Sequence, residues 1–176
     1  MTDFKKILSG GDLRSIGKSN TLILKINNQN DFDELFKYLF HKDRLIVMRA
    51  VDAIEKITIN NPQYIITHKN EIIELCNTAK DKELKWHLAL LIPRLNLKNM
   101  VFDNGWKTLT MWAKDKDNSR IVRVNSIQGL YEMAKRQSKT EKDFWITLSE
   151  IEKENIPSIN ARINKIRKQK IIITKE

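Results

Sequence analysis

Cysteine is almost missing from this chain. Cys76 stands alone, so no disulfide can form within it. A lone thiol suits a reducing compartment, and the expected location is cytoplasmic. Glycine and proline are also scarce, five and three in 176 residues. A β-sandwich or barrel turns too often to do without them, so their scarcity points to long helices. No apolar run approaches the ~20 residues of a membrane span. The first residues, Met1 to Leu8, hold two lysines but no apolar signal core behind them. Acidic residues are in deficit: 22 Asp and Glu face 32 Lys and Arg, for a net charge of +10. That sign favours a nucleic acid, an anionic membrane or an acidic protein as partner, without choosing among them.

Hydrophobic residues make up 41% of the chain, enough for a real core, and they recur with a long period. Residues 46–57, 84–95 and 122–133 align without gaps, each segment starting 38 residues after the last. The matched apolar positions are Ile46/Leu84/Val122, Met48/Trp86/Val124, Val51/Ala89/Ile127, Ile54/Ile92/Leu130 and Ile57/Leu95/Met133. Ala53, Leu91 and Gly129 share a position that varies in size, which predicts different approach distances between neighbouring helices. Val47, Val51, Ile54 and Ile57 fall three and four apart, on one helical face. A looser fourth copy carries Ile159, Ile163 and Ile166 and enters through Pro157, a residue suited to a first helical turn.

Other amphipathic stretches precede these segments: residues 31–40 with Phe32, Leu35, Phe36 and Leu39, then 70–79, 104–113 and 141–154. The unit is helix, short polar turn, helix. One such pair buries only one side, so pairs must stack. The expected fold is all-α, an α-solenoid of about four stacked antiparallel helix pairs in one domain spanning residues 1–176. Residues 1–30 would form an N-terminal cap, 31–166 the repeats and 167–176 a basic C-terminal tail.

The second helices resemble HEAT repeats, in which an Asp is followed by Val-Arg and an apolar-Ala pattern; Asp43, Val47, Arg49, Ala50 and Ala53 carry the match. Residues 9–20, the repeats behind them and Lys85-Trp86-His87 together resemble small bacterial HEAT-repeat proteins. The resemblance implies a concave surface, lined by the second helices, that holds a protein or nucleic-acid partner. DNA alkylation-repair glycosylases are also built of HEAT-like repeats and use tryptophans with an aspartate; Trp112 and Asp115 are the local echo of that arrangement.

Residues 11–19 are similar to a phosphate-binding loop ending in Gly17-Lys18-Ser19, but Asp12 stands where the first glycine belongs. A carboxylate there opposes phosphate, and the stretch reads as a loop with Asp12 or Ser19 as helix caps. Glu83 with His87, and His68 with Glu71, share helix faces without the further ligands a metal needs, so they read as solvated surface. Cys76 lies on an apolar face with no adjacent base and reads as core. The tryptophans also read as core, Trp86 being the one that could present its ring to a groove. No catalytic, cofactor-binding or metal-ligating residue is assigned, and no cofactor is expected.

The outward positions of the second helices, in register, are Arg49/His87/Asn125, Asp52/Leu90/Gln128 and Lys56/Arg94/Glu132, flanked by Lys85 and Arg123. From these the expected partner surface is Arg49, Lys56, Lys85, Trp86, His87, Leu90, Arg94 and Arg123. Asp52 and Glu132 interrupt any positive column, which favours a protein partner over a phosphate track. From residue 157 onward six Lys or Arg accompany one Glu, the stretch best suited to a nucleic acid. The expected function is a non-catalytic protein-binding adaptor or scaffold, with a nucleic-acid-binding module as the alternative.

Overall fold

The computed structural model describes residues 3–9 and 19–173. Helix accounts for 79% of it, and no strand occurs among the described residues. The Asp12 cap and most of the loop-like 11–19 stretch lie outside the described residues. Among the described residues no helix is long and apolar enough to cross a membrane. The chain divides into two compact units, Met1–Lys69 and Asn70–Glu176.

The first unit is built around one long helix. Its elements are α1 (Phe4–Leu8), α2 (Ser19–Ile23), α3 (Gln29–Phe36, tightening into a 3-10 turn over Lys37–Phe40), α4 (Arg44–Asn60) and α5 (Gln63–Ile66). Polar caps set the starts. Asn28 Oδ1 accepts from the Asp31 N–H at 3.0 Å while the Asp31 carboxylate accepts from the Asn27 N–H, also at 3.0 Å, so two donors at the entrance of α3 are satisfied reciprocally. Asp43 caps α4 through the Leu45 N–H at 2.9 Å. α1, α2, α3 and α5 all pack against α4. Its stripe of Ile46, Ala50, Val51, Ala53, Ile54 and Ile57 is buried.

The second unit contains α6 (Lys69–Thr78), α7 (Lys82–Leu91, then a 3-10 turn over Ile92–Leu95), α8 (Asn99–Lys114), α9 (Arg120–Ala134), α10 (Glu141–Glu152) and α11 (Pro157–Ile173). A 3-10 turn over Ser138–Thr140 leads into α10. Here α9 is the centre: α7, α8, α10 and α11 all pack on it. Pro93 shortens α7, because it has no N–H to return to the Ala89 carbonyl four residues back. The chain then turns through Asn96 in the left-handed region, φ 49°.

The repeat register is visible in burial. Ile54, Ile92 and Leu130 are fully enclosed, as are Val51, Ala89 and Ile127. Pro157 opens α11 as its spacing predicts. Three features depart from the sequence reading. α1, α2 and α5 form in stretches read as cap or link. α8 starts at Asn99 rather than at residue 104, so the link before it is short. α11 also continues beyond Ile166 through Arg167 to Ile173, which makes most of the basic tail helical.

Candidate functional site

Three residues expected on the outer surface are interior. Arg49 is 1% exposed and its Nη1 donates to the Leu8 carbonyl at 2.8 Å. That carbonyl ends α1, where helices leave acceptors unsatisfied. Arg123 is 2% exposed. Its Nε donates to the Ala113 carbonyl in the last turn of α8 at 2.8 Å, and its two terminal nitrogens grip the Glu154 carboxylate, each at 2.9 Å. Hydrogen bonding from Arg123 holds the Glu154 carboxyl below its ordinary 4.5; burial works against this, and the charges of Arg123 and Lys116 assist. His87 is buried too, its ring 5.5 Å from that of Trp86. For the two arginines the correction has one physical reason. Helical periodicity assigns charged positions to water, whereas a guanidinium stays charged inside when carbonyls and a carboxylate replace its hydration.

The remaining expected residues lie in different surroundings. Lys56 is held by Asp52 one turn back, at 2.7 Å. Lys85 donates to Asn118 Oδ1 at 3.1 Å and lies over the Trp112 ring, 5.8 Å from its centroid. Trp86 is half-buried, and its carbonyl accepts from Asn125 Nδ2 at 3.2 Å, so residues about one period apart do become neighbours in this unit. Leu90 and Arg94 are brought together. Both line a cavity of about 270 Å³ between α7 and α9, with Pro93, Gln128, Glu132 and Arg136. Arg136 was not singled out by the sequence. It lies just past the end of α9 and donates through Nη1 to the Pro93 carbonyl.

Gly129 sets the spacing of this groove. A Cβ there would stand 2.6 Å from the Ala89 carbonyl oxygen and 2.9 Å from Leu109 Cδ1. Only glycine permits that approach of α9 to α7, and it does so against the carbonyl that Pro93 leaves without a helical donor.

Other candidates resolve into packing. Trp112 is 2% exposed, and Asp115 bonds the Asp117 N–H and Asn118 within the α8–α9 turn, so the pair echoing a glycosylase is built into the scaffold. Cys76 is buried, which pushes its thiol up to about 12 and leaves it inert at neutral pH. His68 is not a solvated surface residue. Its Nε2 lies 2.7 Å from Asp33 Oδ1, Gln29 donates to the same oxygen at 2.6 Å, and its ring stacks on Phe36 at 3.8 Å. Burial pushes the Asp33 carboxyl up, but the bonds from Gln29 and His68 outweigh it and hold the carboxyl below its ordinary 3.8. On α11, Arg162 donates to Gln128 at 2.8 Å and Arg167 forms a two-pronged pair with Glu152 at 2.6 and 2.7 Å. Among the described residues no group of three or more His, Cys, Asp or Glu side chains could hold a metal ion.

Helix pairs repeating every 38 residues, with an arginine locked into the second helix of a pair, define an α-solenoid. Over residues 8–170 the chain matches the HEAT repeat domain, and it belongs to that family. Comparison with curated proteins and with solved structures finds no match.

Proposed function

We propose that this HEAT-repeat chain is a non-catalytic adaptor or scaffold that holds a protein partner on the second helices of its pairs. In the second unit the contact is the α7–α9 groove. HEAT repeats commonly mediate protein interactions. The observation that carries the reading is the convergence of Leu90, Arg94 and Arg136 on one cavity. Anchors of this kind dominate binding energy at protein interfaces. Asp52 and Lys56 on α4 neutralise each other, so the first unit's helix offers no matching cationic column.

The test is capture from native cells with the full chain, with and without nuclease. Capture that survives nuclease and is lost in Leu90→Asp or Arg94→Glu is the expected outcome. Loss on nuclease treatment, or insensitivity to both substitutions alongside sensitivity to Lys165→Glu and Lys168→Glu on α11, would move the site to the basic last helix and favour a nucleic acid.

A further inference from the structure

A second groove runs between α8 and α10, the first helices of successive pairs, which pack on each other. Its cavity measures about 490 Å³ and takes in Trp106, Met111 and Ile146. Met111 is 57% exposed, Ile146 is 48% exposed, and Trp106 beside them is half-buried. Single exposed apolar residues are ordinary, but these three converge on one cavity and form a patch. The walls of the groove differ in sign. α8 brings Lys107 and Lys114, two turns apart on one face. α10 brings Asp143, with Glu150 two turns further on. Lys114 pairs with Glu150 at 2.6 Å and ties one end of the groove. Lys107 stands 36 residues before Asp143, the same separation that relates Lys114 to Glu150. Yet neither Lys107 nor Asp143 has an ion-pair or hydrogen-bond partner for its side chain among the described residues, and both are exposed.

From this arrangement we propose that a second copy of this chain docks on the α8–α10 groove, about a two-fold axis that runs along it. Rotation about that axis carries α8 of one copy over α10 of the other. Lys107 then meets Asp143 of the partner subunit, and Asp143 meets the partner subunit's Lys107. The patch of Trp106, Met111 and Ile146 closes over its own copy, as a self-complementary two-fold contact requires. An axis across the groove would instead set α8 on α8, lysine against lysine. The mixed signs also select the occupant. A nucleic acid or an acidic segment is drawn to the lysine wall and repelled by the carboxylate wall, and a basic segment meets the reverse. A copy of the same surface offers each wall its opposite. This groove shares no residue with the α7–α9 cavity, so the inference does not depend on the partner reading above.

Sedimentation velocity of the full chain, over a rising series of concentrations, reads the association. The expected result is a monomer–dimer equilibrium that weakens as salt is added. Lys107→Glu makes both walls acidic and Asp143→Lys makes both basic. Each alone should raise the dimer dissociation constant by about tenfold or more. An equimolar mixture of the two variants should recover the parental constant, because each chain then meets its opposite. Lys107→Glu and Asp143→Lys combined in one chain should recover it too. Ile146→Asp should abolish the dimer, and Leu90→Asp should leave it intact. The three substituted positions in this groove are exposed, so circular dichroism melts should match the parent. Were a charge variant to fail that check, Ile146→Asp still carries the test.

A chain that stays monomeric up to about 1 mM overturns the inference. So do dimers indifferent to both charge reversals. Dimers lost in the single variants and not recovered in their mixture would refute the two-fold pairing of Lys107 with Asp143. Dimers that dissolve in Leu90→Asp and persist in Ile146→Asp would move the contact to the α7–α9 groove and refute this one.

Discussion

Arg123 carries a charge into the interior because each of its three nitrogens finds an oxygen. Removing it strands the Glu154 carboxylate, which is only 18% exposed. Arg123→Ala is expected to cost about 3 kcal/mol, the lower end for breaking a buried pair because water still reaches Glu154. Arg123→Lys should recover only part, since an ammonium cannot reproduce the fork; urea unfolding measures both. The pair is also linked to protons. Glu154 titrates below its ordinary 4.5 in the fold. A depressed carboxyl contributes stability that is complete above its unfolded pKa and fades as pH falls through the folded one. The stability of the parent chain should therefore drop more steeply below pH ~4.5 than that of Glu154→Gln, and parallel curves would deny the linkage. None of this was legible beforehand. Arg49 and Arg123 have partners 41 and 31 residues away in the chain, and a window on one helix contains neither.

At the scale of elements the 38-residue step carried most of the reading, because helix–turn–helix units of equal length bury equivalent positions. α1, α2 and α5 escaped it. They are five, five and four residues long; a helix of little more than one turn shows no period and has no stability of its own. At the variable position shared by Ala53, Leu91 and Gly129, the glycine marks a close helix approach: a Cβ there would fall 2.6 Å from backbone oxygen. Gly129→Ala should gain ~1 kcal/mol in helix propensity yet lower stability by about 1–3 kcal/mol through overpacking. Thermal unfolding decides the sign. A stabilised variant would mean that α9 can move off α7 at no cost. The groove itself was half legible. Leu90 and Arg94 followed from register, whereas Arg136 lies past the end of α9, where register no longer applies.

For the whole molecule, each unit has a single hub, α4 in one and α9 in the other. Backbone amides there should exchange with solvent most slowly, since opening a hub disrupts every neighbour at once. α1 should exchange fastest among the helices of the first unit. Arg49→Met, by releasing the Leu8 carbonyl, should speed α1 further and leave α9 unchanged in a hydrogen-exchange experiment. The position of α9 along the chain has a consequence for synthesis. Two of its neighbours, α7 and α8, precede it, while α10 and α11 follow. Ile159, Ile163 and Ile166 of α11 are fully enclosed once that helix packs on α9 and α10. A growing polypeptide thus leaves the ribosome with α9 bare on one flank until translation has passed residue 166. A message cut short between α10 and α11 would yield a sticky product and a client for chaperones, because the flank of α9 that α11 covers would stay bare.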